Sequence, residues 1–150
     1  MKRHTLLIAA AFAVFAPLPL VAHGDMGDAP ARVTVDPNFA AGKQAVEARD
    51  WAKAIEAFKR APASADAFNY LGYAYRNLGN FELAFQNYNR ALELDPRHRG
   101  AHEYIGEAYL LTNNLAKAQE HLAALDKLCF FPCGEYTELK QKVTEYKSKH

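Results

Sequence analysis

A helical periodicity over residues 65–98 constrains the fold of this chain more than any other feature. Its first half places small and apolar residues on one helical face, with the spacing i, i+3, i+4 and i+7. These residues are Phe68, Leu71, Gly72 and Tyr75. Gly79 and Asn80 then break the period, as a helix C-terminus followed by an N-cap would. A second helical face follows at Phe81, Ala84, Phe85, Tyr88, Ala91 and Leu92. The stretch therefore predicts two short helices that fold back on each other.

This stretch resembles a tetratricopeptide repeat, a helix–turn–helix unit of 34 residues. The positions that carry the resemblance are Phe68, Leu71, Gly72, Tyr75, Ala84, Tyr88, Ala91 and Pro96. The resemblance implies an all-α solenoid of stacked helix pairs. It also implies a concave groove, lined by the first helix of each repeat, that binds a protein or a peptide.

The pattern continues after the central unit. Gly106 lies 34 residues after Gly72, and Asn113 stands where the central unit has Gly79. Asn is, after Gly, the residue that best tolerates the left-handed backbone conformation of such a turn. We therefore predict a third repeat over residues 99–128.

The pattern also precedes the central unit, with a shorter period. Gly42 lies 30 residues before Gly72, so the first repeat, over residues 38–62, lacks four residues. We expect its second helix to be short. A degenerate terminal repeat of this kind is common in repeat arrays.

Both cysteines of the chain follow the third repeat, within residues 129–133. Cys129 and Cys133 flank a turn that contains a proline, and in an exported protein this arrangement predicts a disulfide. A redox-active dithiol is the alternative, although such pairs are usually one residue closer together. A zinc site would need four ligands, and only two thiols are present.

The segment from residue 135 to residue 148 has the pattern of an amphipathic helix. Its apolar face carries Tyr136, Leu139, Val143 and Tyr146. Its other faces are crowded with Lys140, Lys142, Lys147 and Lys149. We interpret it as a capping helix with a basic, solvated outer side.

The N-terminus has the layout of a secretory signal peptide. Lys2 and Arg3 precede an uncharged run, over residues 6–21, that is short for a membrane span and contains two prolines. We predict a signal peptide over residues 1–22 with cleavage after Ala22, and hence a periplasmic or secreted protein.

Residues 23–37 lack a helical period and predict a flexible arm. Cleavage after Ala22 would make His23 the first residue, and its amine and imidazole could then chelate Cu(II). A copper-handling accessory protein is therefore one alternative function, and a thiol–disulfide protein that uses Cys129 and Cys133 is another.

The composition and motifs argue against other functions. The chain has 18 basic and 17 acidic residues, so it lacks the positive field that binding to nucleic acid requires. No nucleophile elbow or phosphate-binding loop is present, and the sequence that starts at His102 lacks the second histidine of a metalloprotease motif. We read His102 as a packed residue, and we expect no enzyme activity, no cofactor and no metal site.

The predicted groove consists of first-helix residues that point away from the core. They are Phe39, Lys43, Asn69, Tyr73, Arg76, Asn77, Glu103 and Glu107, with Val46, Leu110 and Leu111 beside them. This set is positive at one end, polar in the middle, and acidic and apolar at the far end. We expect a protein or peptide ligand of complementary character. The family's carboxylate clamp needs Lys and Asn at defined groove positions, and only Lys43 could serve here.

Overall fold

The computed structural model describes residues 35–150, and this part of the chain folds into seven α-helices without a strand. The helices are α1 (Pro37–Glu47), α2 (Trp51–Arg60), α3 (Ala65–Asn77), α4 (Phe81–Leu94), α5 (Arg99–Leu111), α6 (Leu115–Leu128) and α7 (Gly134–Lys149). The all-α fold predicted from the periodicity is confirmed. The predicted signal peptide, His23 and most of the predicted arm lie outside the described residues.

The helices form three consecutive pairs, α1 with α2, α3 with α4 and α5 with α6, and each pair packs on the next. Helix α7 follows the third pair and packs on both of its helices. It therefore stands where the first helix of a fourth pair would stand. Within residues 35–150, no helix has both the length and the apolar character needed to cross a membrane.

Short polar caps define where the helices begin. The first six helices each start after a residue whose side chain accepts a backbone N–H from the first turn. The caps are Asp36, Asp50, Ser64, Asn80, His98 and Asn114. Asp36 caps α1 and Pro37 is its first residue, so the predicted arm of residues 23–37 extends two residues too far.

The turns inside the helix pairs adopt the left-handed conformation. The backbone φ angle is 57° at Arg49, 77° at Gly79 and 59° at Asn113. The equivalence of Asn113 and Gly79 predicted from the spacing is thus confirmed. Helix α2 has 10 residues against 14 in α4, as expected from the four residues missing in the first repeat.

Glycines on the first helices allow these helices to lie against large side chains. A Cβ atom at Gly72 would lie 2.5 Å from the ring of Tyr88 on α4, and one at Gly42 would lie 2.6 Å from the ring of Phe58 on α2. In the third repeat the equivalent contact comes from α7, because a Cβ at Gly106 would lie 2.6 Å from Leu139. Helix α7 is therefore part of the core.

We predict that Gly72→Leu destabilises the fold by about 1–3 kcal/mol or more, because the new side chain would force the fully buried Tyr88 ring out of place. Urea denaturation measures the change. Gly134→Leu is the matched control, since no atom lies within 4 Å of the position of its Cβ. Unfolding of Gly72→Leu at the same urea concentration as the wild type would contradict the packing described here.

Candidate functional site

The predicted groove residues fall into three classes of exposure. Lys43 and Asn77 are exposed on α1 and α3. Phe39, Tyr73 and Arg76 are of intermediate exposure, with only 9% of the Arg76 side chain exposed, whereas Asn69, Glu103 and Glu107 are buried. The last three lie beneath the surface, so the expectation that all eight form an open lining is corrected. Only part of the set is available to a ligand.

Phe39 packs into the core of the first repeat. Its ring centroid lies 5.4 Å from that of Phe58 and 5.8 Å from that of Tyr70, in edge-to-face geometry in both cases. Phe58 and Tyr70 are in turn stacked with their centroids 5.1 Å apart. Phe39 therefore anchors α1 to α2 and α3, and its role is mainly structural.

The carboxylate of Glu107 is the electrostatic centre of the site. Arg76 of α3 and Lys142 of α7 each donate a hydrogen bond to a different oxygen of this carboxylate. The side chains of Arg76 and Glu107 are each 9% exposed, so this network is largely shielded from water. One residue from each of three helices thus meets at Glu107, and two cations share one anion.

Aromatic rings hold Arg76 in this position. Its guanidinium lies 5.0 Å from the ring centroid of Tyr73 and 5.4 Å from that of Tyr104. It also donates a hydrogen bond of 3.3 Å to the backbone carbonyl of Tyr104. Arg76 is therefore clamped between the second and third repeats and is not a mobile surface charge.

The contacts of Lys142 differ from those expected from the sequence. The sequence pattern groups it with the lysines that solvate the outer side of the capping helix, yet it reaches back to Glu107 of α5. Its side chain is still 46% exposed, so it stands at the edge of the site. A lysine on an otherwise polar helix gives no sequence signal that would distinguish these two roles.

Glu103 is a buried carboxyl group on α5, one turn before Glu107. Burial is the main cause that raises the pKa of Glu103 to about 8, and a hydrogen bond with Glu138 and the charge of Glu107 act in the same direction. The surroundings of Glu103 therefore favour its protonated form. The nearby groove residue Asn69 is 4% exposed, and its Oδ1 has no hydrogen-bond partner among the described residues.

A cleft of about 290 Å³ opens between α5 and α7. Its lining residues are Glu107, Leu110, Leu111, Lys142, Glu145, Tyr146, Lys149 and His150. Leu111 is 62% exposed and adjoins Leu110 and Tyr146 in the lining of the cleft, so the apolar surface here is contiguous and a partner could cover it. The floor is apolar and the rim carries charges of both signs. The residues of α7 and its end that line this cleft were not among the predicted groove residues.

The turn after α6 presents a second exposed apolar feature. Cys129 and Cys133 are joined in a disulfide, and the enclosed Phe130 and Phe131 are 94% and 76% exposed. Cys133 is also the N-cap residue of α7, a helix of 16 residues. A thiolate at that position would be stabilised by the helix N-terminus if the disulfide were reduced.

Comparisons with known proteins agree with this architecture. Residues 65–98 match the family model of the tetratricopeptide repeat. Tetratricopeptide repeat protein 1 of Schizosaccharomyces pombe (strain 972 / ATCC 24843) is 35% identical over 69 residues, which are 44% of this chain and 7% of that protein. The chain therefore spans only a small part of the length of this curated relative.

Two solved structures are similar to the described helices. One is the TPR2B domain of yeast Sti1 in its pHsp70 complex, with a TM-score of 0.67 and 24% identity over 75% of this chain and 95% of that one. The other is the Yersinia enterocolitica type III secretion chaperone SycD with a peptide of the translocator YopD, with a TM-score of 0.63 and 18% identity over 75% and 88% of the two chains. Residues 65–98 are thus a tetratricopeptide repeat, and the described helices have the fold of a tetratricopeptide-repeat solenoid.

We predict that the stability of the protein falls as the pH rises from about 4.5 to about 8 and then levels off, because over this range Glu103 keeps its proton only in the folded state. The pKa of Glu103 is higher in the folded state than in the unfolded state. Its contribution to the free energy of unfolding is therefore complete at low pH and is lost at high pH. Thermal denaturation from pH 5 to pH 9 measures this dependence.

Glu103→Gln keeps a neutral polar group of the same size and should flatten that pH dependence. Glu145→Gln, at an exposed position of α7, serves as the control and should follow the wild type. Equal pH dependence in the wild type and Glu103→Gln would contradict the protonated state of Glu103.

Proposed function

We propose that this protein is an exported scaffold that binds a protein or peptide in the groove formed by α1, α3 and α5 and extended by α7. The observation that carries the proposal is the apolar cleft beside Leu111, at the end of this groove. Its volume suits one large apolar side chain of a ligand. The charged groups at its rim can pair with polar groups that flank such a side chain.

The similar solved structures support a peptide as the ligand. Both are structures of complexes, in which the Sti1 domain is paired with pHsp70 and SycD with a YopD peptide. We extend peptide binding to this chain because it shares the fold of these proteins and has an exposed apolar cleft of its own. The carboxylate-clamp variety of binding remains disfavoured, because Lys43 alone matches its requirements.

The proposed location is the bacterial periplasm, where the protein would help to assemble or maintain an envelope complex. This part of the proposal rests on the signal-peptide pattern of residues 1–22 and on the disulfide, which is compatible with an oxidising compartment. Mature protein that begins at His23 and is recovered from the periplasmic fraction would agree with it.

A thiol–disulfide function is the second candidate. The observation in its favour is the place of Cys133 at the N-cap of α7, which is where reactive thiols of low pKa are found. The exposed Phe130 and Phe131 could then contact an apolar part of a substrate protein. A scaffold function accounts for more of the structure, because residues of all three repeats line the groove.

Affinity capture from a periplasmic extract tests the groove. We predict that the variant with Lys43→Glu, Asn77→Ala and Leu111→Asp loses a partner that the wild type retains, because all three side chains are exposed on first helices. The loss should exceed about tenfold in recovered partner, since a few central residues carry most of the affinity of an interface. Mass spectrometry of the bait also gives its N-terminal residue.

The matched control carries the same three kinds of change on second helices. Lys53→Glu, Asn89→Ala and Leu94→Asp are all at exposed positions of α2 and α4. This variant should keep the partner. A partner retained by both variants would place binding outside the groove, and bait with an intact Met1 in the cytoplasm would contradict export.

A further inference from the structure

Two histidines face each other across the third helix pair, away from the residues that line the groove. His102 lies on α5 and His121 on α6, and their Nδ1 atoms are 3.0 Å apart. The ring centroids are 5.2 Å apart. Both residues are half-buried, so the pair is sheltered but reachable by small solutes.

The hydrogen bonds fix the tautomer of His102. Its Nε2 lies 3.1 Å from the carbonyl oxygen of Pro96, and a carbonyl can only accept, so Nε2 carries the proton. The Nδ1 of neutral His102 therefore holds a free lone pair, which accepts the Nδ1–H of His121. The Nε2 of His121 has no hydrogen-bond partner in the described part of the chain and can receive a proton.

His121 is held in its neutral form. Burial and, next, the proximity of His102 lower the pKa of His121 to about 4. The ring of Tyr109 stacks on it with centroids 5.7 Å apart. The neighbouring charges of Lys117 and Glu120 form an ion pair of 2.7 Å, so they largely cancel at the histidines.

We propose that His102 and His121 form a binding site for a divalent transition-metal ion, with Cu²⁺ preferred. Transfer of the His121 proton from Nδ1 to Nε2 turns both Nδ1 atoms into lone-pair donors, without net release of a proton. Two nitrogens about 2.0 Å from one ion at an angle of about 90° are about 2.8 Å apart. The observed 3.0 Å is close to this separation, and a rotation of the two rings would direct both lone pairs at the ion, with water in the remaining positions.

The surroundings of His102 match those of known metal ligands. A ligating histidine usually donates its other N–H to a carbonyl or carboxylate, as His102 does to Pro96. Both cysteines are in the disulfide, so no thiolate competes for the ion among the described residues. A bound ion would join α5 to α6 and stabilise the third repeat. This inference is independent of the proposed groove function.

Titration of the full chain with Cu²⁺ at pH 7 tests the site. All proteins carry His4→Gln and His23→Gln, which removes the imidazoles of the amino-terminal segment from copper binding. We expect one Cu²⁺ per chain, nitrogen hyperfine structure in the electron paramagnetic resonance spectrum, and a rise in the melting temperature, because a ligand that binds only the folded state stabilises it.

His102→Gln and His121→Gln should each weaken Cu²⁺ binding by at least about tenfold and abolish the rise in melting temperature. The two changes lie on different helices, and Gln can keep a hydrogen bond, so a folding defect in one variant leaves the other informative. His150→Gln is the control and should behave as its parent. An unchanged melting temperature in the parent, or binding that persists in both Gln variants, would overturn the site.

Discussion

The packing of α3, α5 and α7 on the groove side of the protein depends on the carboxylate of Glu107. It lies between Arg76 and Lys142 and so links α3, α5 and α7. Removing one partner of a buried ion pair typically costs about 3–5 kcal/mol, because the other charge stays buried without a partner, as Arg76 would, whereas the side chain of Lys142 is 46% exposed. Here the loss of Glu107 would leave two cations facing each other. Lys142 and Glu107 also both line the cleft.

Much of the fold could be predicted from the sequence because its determinants are local. Cap residues such as Asn80, left-handed turns at Gly79 and Asn113, and the period of the apolar faces act within a few residues of the chain. The sequence places Leu139 on the apolar face of the capping helix, but the residue that this face covers could not be predicted in this way. Leu139 fills the space beside Gly106, which lies on another helix, and the spacing within α7 does not reveal that partner.

The candidate site was harder to predict than the fold, because it also depends on contacts between residues that are distant in sequence. The spacing of first-helix residues locates Tyr73, Arg76 and Glu107 on one side of the solenoid, but burial decides which of them a ligand can reach. Glu107 is buried by Arg76 and by α7, and Lys142 is its partner. What remains accessible is an apolar cleft whose second wall comes from the helix that the sequence presents as a solvated cap. A scaffold function therefore depends on α7 as much as on the three repeats.

Hydrogen–deuterium exchange on the wild type and Glu107→Gln tests this dependence most directly. If Glu107 fixes α7, the variant should show faster amide exchange throughout Gly134–Lys149, while α1 and α2 exchange as in the wild type. Equal protection of α7 in the two proteins would show that apolar packing around Leu139 alone holds this helix, and would contradict the central role of Glu107.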